Sequence, residues 1–267
     1  MGSGSWTPGL VALDIDGTLA EEEEISPRVH DAVRRAAAAG AYVLLATGRS
    51  LLASRGVAEQ LKLVGDITHV FSNGAVTARV HPDQLVDVVT FDPGPAVRLL
   101  HERVPDLRFA VEELGVGYRV NEPFPDGELT GDVRVCSLDE LVAEPATRVV
   151  VRQPAIGAEE FMEVVESVGL HGVNYVVGYT AWLDLAPDGV SKASALEAIR
   201  LRCGVAATDT LAIGDGRNDL EMLAWAGRGV AMGQAPAVVQ DAADDVTKAF
   251  ADDGAALELE RWFPAPV

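Results

Sequence analysis

Largely apolar runs alternate with amphipathic segments along the first third of the chain. Leu10–Leu13, Tyr42–Ala46 and Thr68–Phe71 have the length and composition expected of strands buried on both faces. Between these runs, residues 27–39 and Leu51–Lys62 carry apolar side chains at helical spacing. This βαβαβ alternation predicts a parallel sheet that is covered by helices on both faces.

This alternation of strands and helices stops after the third strand and resumes at Ser191. Residues 76–187 predict short, mostly antiparallel strands and short helices, with prolines between the elements. From Ser191 a helix, the strand Thr210–Ile213 and further helix–strand pairs resume the first pattern. We therefore predict an α/β protein whose core, residues 1–75 and 188–267, is interrupted by an α+β module at 76–187.

Composition and charge narrow the classes of partner. The chain has 267 residues, 48% of them hydrophobic, which is enough to bury a sizeable core in one large or two smaller domains. Its 41 acidic and 21 basic residues give a formal net charge of −20. This charge mainly favours solubility, and it also repels nucleic acid and anionic membranes. An anionic substrate would need both local positive charge and a metal ion to bind.

Targeting signals and cysteines add little further constraint. No apolar run approaches the roughly 20 residues of a membrane-spanning helix, so no membrane partner is expected. Residues 1–5 lack the basic and apolar regions of a secretory signal. Cys136 and Cys203 are the only cysteines, and we predict buried free thiols in a reducing cytoplasm.

Carboxylates follow two of the predicted strands directly. Asp14 and Asp16 come after Leu10–Leu13, and their spacing of two places them initially on the same face. Asp215 and Asp219 follow the strand that begins at Thr210. Like charges this close repel, and burying them unpaired would be costly. A bound cation removes the conflict, and an oxygen-only ligand set favours Mg²⁺ over Zn²⁺.

The two N-terminal acids also suit phosphoryl chemistry. A carboxylate can act as a nucleophile towards phosphorus, forming an acyl phosphate that water later cleaves. A second acid can give a proton to the leaving oxygen. Asp14 suits the nucleophile, and Asp16, further along the turn, suits the general acid and base.

Polar residues at other strand and helix ends have both structural and functional interpretations. Thr47 is either a turn residue or a ligand for a phosphoryl oxygen, and Ser72 and Asn73 are equally open. Ser191 is expected to cap a helix, which puts Lys192 in the first turn, where a cation opposes the helix dipole. An anion shared between Lys192 and the helix terminus would remove that conflict, whereas the alternative is a lysine extended into solvent.

The second acidic cluster leaves similar alternatives. Asp215 and Asp219 lie four residues apart across a loop-to-helix junction. One carboxylate can bind a metal ion directly. The other can hold that carboxylate, or Lys192, in place without contacting the metal ion. Asn218 is either the cap of the following helix or a phosphate contact.

Five motifs span nearly the whole chain: Asp14–Thr18 (DIDGT), Ala46–Arg49 (ATGR), Ser72–Ala75 (SNGA), Gly189–Lys192 (GVSK) and Gly214–Asp219 (GDGRND). Together they resemble the haloacid dehalogenase superfamily of phosphohydrolases, and most closely its Cof-type branch, in which a cap is inserted after the third strand. The resemblance implies a Rossmann-like parallel-sheet core with a mobile cap.

The resemblance also implies roles for the acids. Asp14 is expected to be the nucleophile and Asp16 the acid and base. Mg²⁺ is expected to be bound by the Asp14 carboxylate, the Asp16 backbone carbonyl and Asp215.

The remaining motif residues are implied to bind phosphate. Thr47, Gly48 and Lys192 would hold the transferring phosphoryl group, and Asn218 would reach towards it. Asp219 would hold the groups that contact the metal ion and the phosphate in place without contacting either one itself.

These observations predict a cytoplasmic, Mg²⁺-dependent phosphatase that hydrolyses a small soluble phosphomonoester, for example a sugar phosphate, through an aspartyl-phosphate intermediate. One alternative is a phosphomutase, whose cap would grip a second phosphate with arginines. The seven arginines of the insert are scattered in sequence: Arg98, Arg103, Arg108, Arg119, Arg134, Arg148 and Arg152.

A second alternative is a non-catalytic phospho-accepting regulator, which would need Asp14 but neither Asp16 nor an insert of about 110 residues. The sequence leaves the substrate and the oligomeric state open. Candidate specificity residues in the insert are Tyr118, Arg119, Tyr175, Tyr179, Trp182 and Asp184.

Overall fold

A computed structural model describes residues 6–21, 23–104, 106–177 and 181–265. Within these ranges the chain forms fourteen strands and nine helices. The strands are β1 (Leu10–Leu13), β2 (Tyr42–Leu45), β3 (Thr68–Phe71), β4 (Val76–Arg79), β5 (Gln84–Val88), β6 (Arg108–Glu113), β7 (Gly117–Val120), β8 (Asp132–Val135), β9 (Val149–Arg152), β10 (Val173–Val177), β11 (Trp182–Pro187), β12 (Thr210–Gly214), β13 (Arg228–Ala231) and β14 (Asp245–Val246). The helices are α1 (Pro27–Ala38), α2 (Leu51–Gln60), α3 (Gly94–Arg103), α4 (Leu138–Leu141), α5 (Ala158–Val168), α6 (Lys192–Cys203), α7 (Leu220–Trp225), α8 (Ala237–Gln240) and α9 (Gly254–Trp262).

The core is a five-stranded parallel sheet in the order β14-β13-β12-β1-β2. Successive side chains of β1 enter different apolar layers. Val11 and Leu13 pack in the layer that contains α1 and α9, whereas Leu10 and Ala12 pack in the layer that contains α6 and α7. This alternation explains why β1 has no polar position until the strand ends.

Local signals in the sequence set the ends of α1. The Ser26 hydroxyl accepts a hydrogen bond from the Val29 backbone N–H at 3.2 Å, and Pro27 occupies the first helical position. Gly40 follows the helix with a φ of +92°, a conformation that glycine adopts without steric cost.

The hairpin β4–β5 extends β3 into a separate three-stranded antiparallel sheet. Its apolar residues Val76, Ala78 and Val80 pack with Phe71 in the same layer as α1 and α9. The hairpin therefore contacts the core, and the predicted division at residue 76 stays a prediction.

Most of the insert forms a six-stranded sheet in the order β10-β11-β9-β6-β7-β8. Its pairs are antiparallel except β7 with β8, in line with the expectation of mostly antiparallel pairing. One face packs against α3, α4 and α5. Along β11, Leu183 and Leu185 belong to that packed face, and Trp182 and Asp184 alternate with them on the other face. The predicted α/β class with an α+β insert is confirmed.

Two elements were not predicted from the sequence. All four residues of the strand β8 are exposed, its two valines included, and α9 follows a 3₁₀ turn at Phe250–Asp252 without a side-chain capping hydrogen bond from Asp253. Within the described ranges, no helix combines the length and apolarity required to span a lipid bilayer.

The predicted burial of both cysteines was wrong. Cys203 ends α6 on its solvent side and is exposed, and Cys136 follows the exposed strand β8 and is half-buried. Both thiols are free. A cytoplasmic location stays a prediction.

His69 joins β3 to the core where the backbone ladder is incomplete. A single bridge, Ala46 with Val70, connects β2 to β3. Beside it, the fully buried His69 ring accepts the Leu45 backbone N–H at Nδ1 (3.0 Å) and donates from Nε2 to the Leu63 carbonyl (2.9 Å). Burial lowers the pKa of His69 to about 4, and the hydrogen bond to Leu63 partly opposes this shift.

We expect His69 to make folding stability fall as the pH is lowered. Because its folded pKa of about 4 lies below the ordinary value of 6.5, the unfolded chain binds a proton that the folded chain does not. The associated stability is complete above pH 6.5 and is lost as the pH falls towards 4, by roughly 3 kcal/mol. Urea unfolding across this window should show a flatter pH dependence for His69→Gln than for the wild type. The exposed His171→Gln is the control, and parallel curves for all three proteins would contradict the expectation.

Candidate active site

The polar residues that follow the parallel strands meet at one edge of the core sheet. Leu13 lies opposite Leu45 of β2 and Ile213 of β12, so the chain leaves all three strands at the same level. The Asp14 backbone N–H still donates to the Ile213 carbonyl at 3.0 Å. The carboxyl edge of a parallel sheet is where α/β proteins place their sites.

Lys192 is the buried centre of this cluster. It is 1% exposed, and its Nζ lies 2.7 Å from Asp14 Oδ1 and 2.6 Å from Asp219 Oδ1. The lysine reaches Asp14 because α6 packs on the face of β1 that Leu10 and Ala12 occupy, and Asp14 continues that face. The Ser191 hydroxyl caps α6, as predicted.

Asp219 shapes the loop as well as holding the lysine. Its second carboxylate oxygen, Oδ2, accepts the backbone N–H groups of Asp215 (3.0 Å) and Gly216 (2.9 Å). A Cβ on Gly214 would lie 2.5 Å from the Asp219 carboxyl group, so glycine permits this close approach. One buried side chain thereby fixes both the ammonium group and the acidic loop.

The acids can also provide the ligands of a divalent cation. Oxygens of Asp14, Asp215 and Asp219 all lie within 4.8 Å of one another, and all three residues are buried. Gly17 has a φ of +70°, and a Cβ there would meet Asp215 Oδ2 at 2.2 Å. Gln234 donates to the Gly17 carbonyl (2.6 Å) and to Asp215 Oδ2 (3.2 Å). This oxygen-only donor set fits a hard cation such as Mg²⁺.

The charges in the cluster do not balance. Three carboxylates face a single ammonium group, which leaves an excess of negative charge in a buried site. Burial raises the pKa of Asp14 well above its ordinary value, and the charge of Asp219 adds to this, against the effect of Lys192. Burial alone would lower the pKa of Lys192, but Asp14 and Asp219 outweigh it and raise that pKa. A divalent cation has the charge that this site needs.

Asp16 lies outside the buried cluster and is held by Arg49. Its side chain is 59% exposed, and the guanidinium group contacts both carboxylate oxygens through Nε (3.1 and 3.0 Å) and one of them through Nη2 (2.6 Å). This bidentate contact orients the Asp16 carboxylate at the wall of the cavity described below. Arg49 belongs to the ATGR motif, but no pattern in the sequence indicated this contact with Asp16.

Next to the acids lie three of the predicted phosphate-binding residues, Thr47, Gly48 and Asn218. Thr47 is fully buried, and its hydroxyl accepts the Arg49 backbone N–H at 3.1 Å. A Cβ on Gly48 would lie 3.0 Å from Asn73 Oδ1 and 3.3 Å from Asn218 Nδ2, so this position favours a small residue. Asn218 donates to Asn73 Oδ1 at 3.0 Å and does not cap α7, which removes one of its two interpretations.

A cavity of about 1210 Å³ separates this cluster from the insert sheet. Its wall on the insert side includes Tyr118, Trp182 and Asp184, three of the six candidate specificity residues. Arg119 instead bonds to the Glu140 carbonyl, and Tyr175 packs in the apolar layer under the sheet. Tyr179 lies outside the described residues.

Polar side chains connect the two sides of the cavity at its edge. Ser72 donates to Glu112 Oε2 at 2.6 Å, and Asn73 donates to Asp184 Oδ2 at 3.2 Å. Asp184 also accepts Nε of the buried Arg148 at 2.8 Å. Burial raises the pKa of Glu112, while Arg148 and Ser72 oppose this shift. The sequence had left Ser72 and Asn73 open, and no pattern in it indicated Glu112 or Gln234.

Comparison with known proteins agrees with this geometry. The family model of haloacid dehalogenase-like hydrolases matches residues 11–259. A phosphoglycolate phosphatase of Natronomonas pharaonis is 34% identical, over 94% of this chain and 96% of its own. A 5-amino-6-(5-phospho-D-ribitylamino)uracil phosphatase of Bacillus subtilis is 28% identical, over 96% and 98% of the two chains. Among solved structures, a phosphatase of the haloalkanoate (HAD) superfamily from Bacteroides thetaiotaomicron superposes with a TM-score of 0.79 at 25% identity, covering 98% of this chain and 97% of its own.

The chain therefore belongs to the haloacid dehalogenase-like hydrolase family, and to its Cof-type phosphatase branch with an inserted cap. The predictions of family and fold are confirmed, and so is the prediction of a hydrolase.

We expect the Lys192–Asp219 contact to be a large contributor to stability. Asp219→Asn would leave one amide oxygen where two carboxylate oxygens now accept from Lys192 and from the Asp215 and Gly216 N–H groups, so a buried donor loses its acceptor although Asp14 still pairs with Lys192. The free energy of unfolding, measured by urea titration in chelator, should fall by about 2 kcal/mol. Glu221→Gln, an exposed acid two residues away, is the control and should change little. Equal stability of Asp219→Asn and the wild type would contradict this account.

Proposed function

We propose that this chain is a Mg²⁺-dependent phosphatase that hydrolyses a small phosphorylated metabolite through a phosphorylated Asp14. The observation that carries the proposal is the contact between the buried Lys192 and Asp14 Oδ1 at the floor of the cavity. The ammonium group holds this carboxylate in one orientation. Within the described residues, Asp14 Oδ2 has no hydrogen-bond partner, which leaves an oxygen for attack on phosphorus.

In the first half of the reaction, an Asp14 carboxylate oxygen attacks the phosphorus atom of the ester. The new bond makes an acyl phosphate, and the bond from phosphorus to the alcohol oxygen breaks. Asp16, which Arg49 holds at the cavity wall, gives its proton to the departing oxygen.

In the second half, Asp16 takes a proton from a water molecule that attacks the same phosphorus atom. The bond to Asp14 breaks, inorganic phosphate leaves, and both carboxyl groups return to their starting states. Thr47, Gly48, Lys192 and Asn218 would hold the phosphoryl group during both halves, and Asp219 would keep Lys192 in place.

Asp14, the Asp16 backbone carbonyl and Asp215 would hold the Mg²⁺ ion. When bound, the ion supplies positive charge that stabilises the phosphoryl oxygens and offsets the excess of carboxylates. Two observations support this assignment: the oxygen-only donor set and the charge imbalance of the cluster.

The positions of the insert arginines weigh against a phosphomutase. Of the seven, Arg148 is the one that lines the cavity within the described part of the chain, and its guanidinium group is bound to Asp184 at 2.7 Å. Arg98 pairs with Asp139 on the surface, and the side chain of Arg152, at the end of β9, is held by Glu128. A mutase needs several free cations above the site, so hydrolysis is the function that we propose.

The roles of the two N-terminal acids can be separated with an aryl phosphate, whose leaving group departs without a proton. We expect Asp14→Asn to release no aryl alcohol in a rapid-mixing experiment. Asp16→Asn should release about one equivalent in a burst and then turn over at least 10²-fold more slowly, because hydrolysis of the intermediate still needs a base. Asp209→Asn, at a half-buried position that does not line the cavity, is the control. Turnover by Asp14→Asn would show that another group is the nucleophile.

The metal proposal has a separate test. Phosphate release should vanish in chelator and return with added Mg²⁺. Asp215→Asn should need at least about tenfold more Mg²⁺ for half-maximal rate, because it loses a charged ligand. Glu221→Gln should keep the wild-type requirement. Full activity in chelator would contradict metal dependence, and an unchanged requirement in Asp215→Asn would remove that residue from the ligand set.

A further inference from the structure

The cavity over the candidate site holds few cations that are available to a substrate. Arg49 is occupied by Asp16, and Arg148 is buried in its ion pair with Asp184. Arg217 is exposed and, within the described residues, is the one cavity cation without an ion pair. The undescribed positions add no lysine or arginine.

Acidic side chains are more abundant on the same walls. Glu23 on the core side and Asp126 and Glu159 on the insert side line the cavity and are exposed. None of the three forms an ion pair with a described residue, whereas the nearby Glu128 is neutralised by Arg152 at 3.1 Å. Away from the reacting centre, the cavity is therefore net negative.

An aromatic surface lines the same cavity as these acids. The Trp182 indole is held by a hydrogen bond from Nε1 to Asp184 Oδ1 (3.1 Å) and by edge contact with Phe124, with ring centroids 6.3 Å apart. Trp182 and the buried Tyr118 both line the cavity. A fixed ring next to carboxylates suits a flat or polyhydroxylated group that is neutral or positively charged.

We propose that the leaving alcohol of the substrate carries no second negative charge, and that an alcohol with an amino group is preferred over one with a carboxylate. This inference rests on the proposed phosphatase function, because it concerns the part of the substrate that remains after the phosphoryl group is held. It separates this chain from its relative in Natronomonas pharaonis, whose name assigns it phosphoglycolate, an ester that bears a carboxylate.

Three esters of similar size and different charge test the proposal: glucosamine-6-phosphate, glucose-6-phosphate and 6-phosphogluconate. We expect kcat/KM to decrease in that order, with the last at least about tenfold below glucose-6-phosphate. Raising the ionic strength from about 0.1 to about 1 M should compress the ratio, since the screening length falls from about 10 to about 3 Å. A rate for 6-phosphogluconate equal to or above that for glucose-6-phosphate overturns the proposal.

Variants assign the effect to the cavity acids. The combined change Asp126→Asn with Glu159→Gln should raise the 6-phosphogluconate to glucose-6-phosphate ratio by about fivefold, and Arg217→Gln should lower it. Glu160→Gln, on the next residue of α5 and outside the cavity wall, is the matched control and should leave the ratio unchanged. An unchanged ratio in the double variant overturns the assignment to these acids.

An aryl phosphate included in the same assay distinguishes a failure of this inference from a failure of the proposed phosphatase function. Release from the aryl ester together with a preference for 6-phosphogluconate overturns this inference and leaves the phosphatase function standing. No release from any ester in the presence of Mg²⁺ overturns the phosphatase function and this inference with it.

Discussion

The buried ammonium group of Lys192 is the constraint on which the rest of the site depends. It bridges Asp14 at the end of β1 and Asp219 before α7, so three distant segments must come together before any of these charges is stabilised. Gly74 makes the approach possible, since a Cβ there would lie 2.2 Å from the Ser191 carbonyl oxygen. An isolated buried charge is very costly, and this cost ties the fold of the core to the geometry of the site.

The same cluster explains how a protein of net charge −20 can receive a phosphate ester. The field of the whole molecule repels anions, but the floor of the cavity collects a lysine, the N-terminus of α6 and ligands for a cation. Lys192 and a bound cation would therefore offset the carboxylates at the place where the phosphoryl group would bind. The other cavity walls are net negative, like the protein as a whole. This difference in charge between the floor and the walls is the basis of the inference on the leaving alcohol.

The junction between core and insert is polar where it borders the cavity. Ser72 with Glu112 and Asn73 with Asp184 hold the two sides together through hydrogen bonds. Water can replace such bonds at moderate cost, unlike the apolar layers within the core or under the insert sheet. The insert therefore rests on contacts that are separable in a way that its own core is not.

The sequence alone was enough to predict the class of fold and the carboxyl-edge location of the acids, and it offered the pairing of Lys192 with an anion as one of two interpretations. These follow from periodicity, strand ends and caps, which are local and act over a few residues. The motifs also placed Asp14, Asp215 and Asp219 in one cluster.

Tertiary structure alone decided the contacts between side chains far apart in sequence. Arg49 binding Asp16, Gln234 reaching Asp215 and His69 completing the link between β2 and β3 each depend on the three-dimensional path of the chain. The exposure of Cys203 depends on which side of α6 meets the sheet, and β8 forms by pairing with β7 although both of its valines stay exposed. Local sequence patterns do not indicate such partners, because the energies of these contacts arise only when the elements pack together.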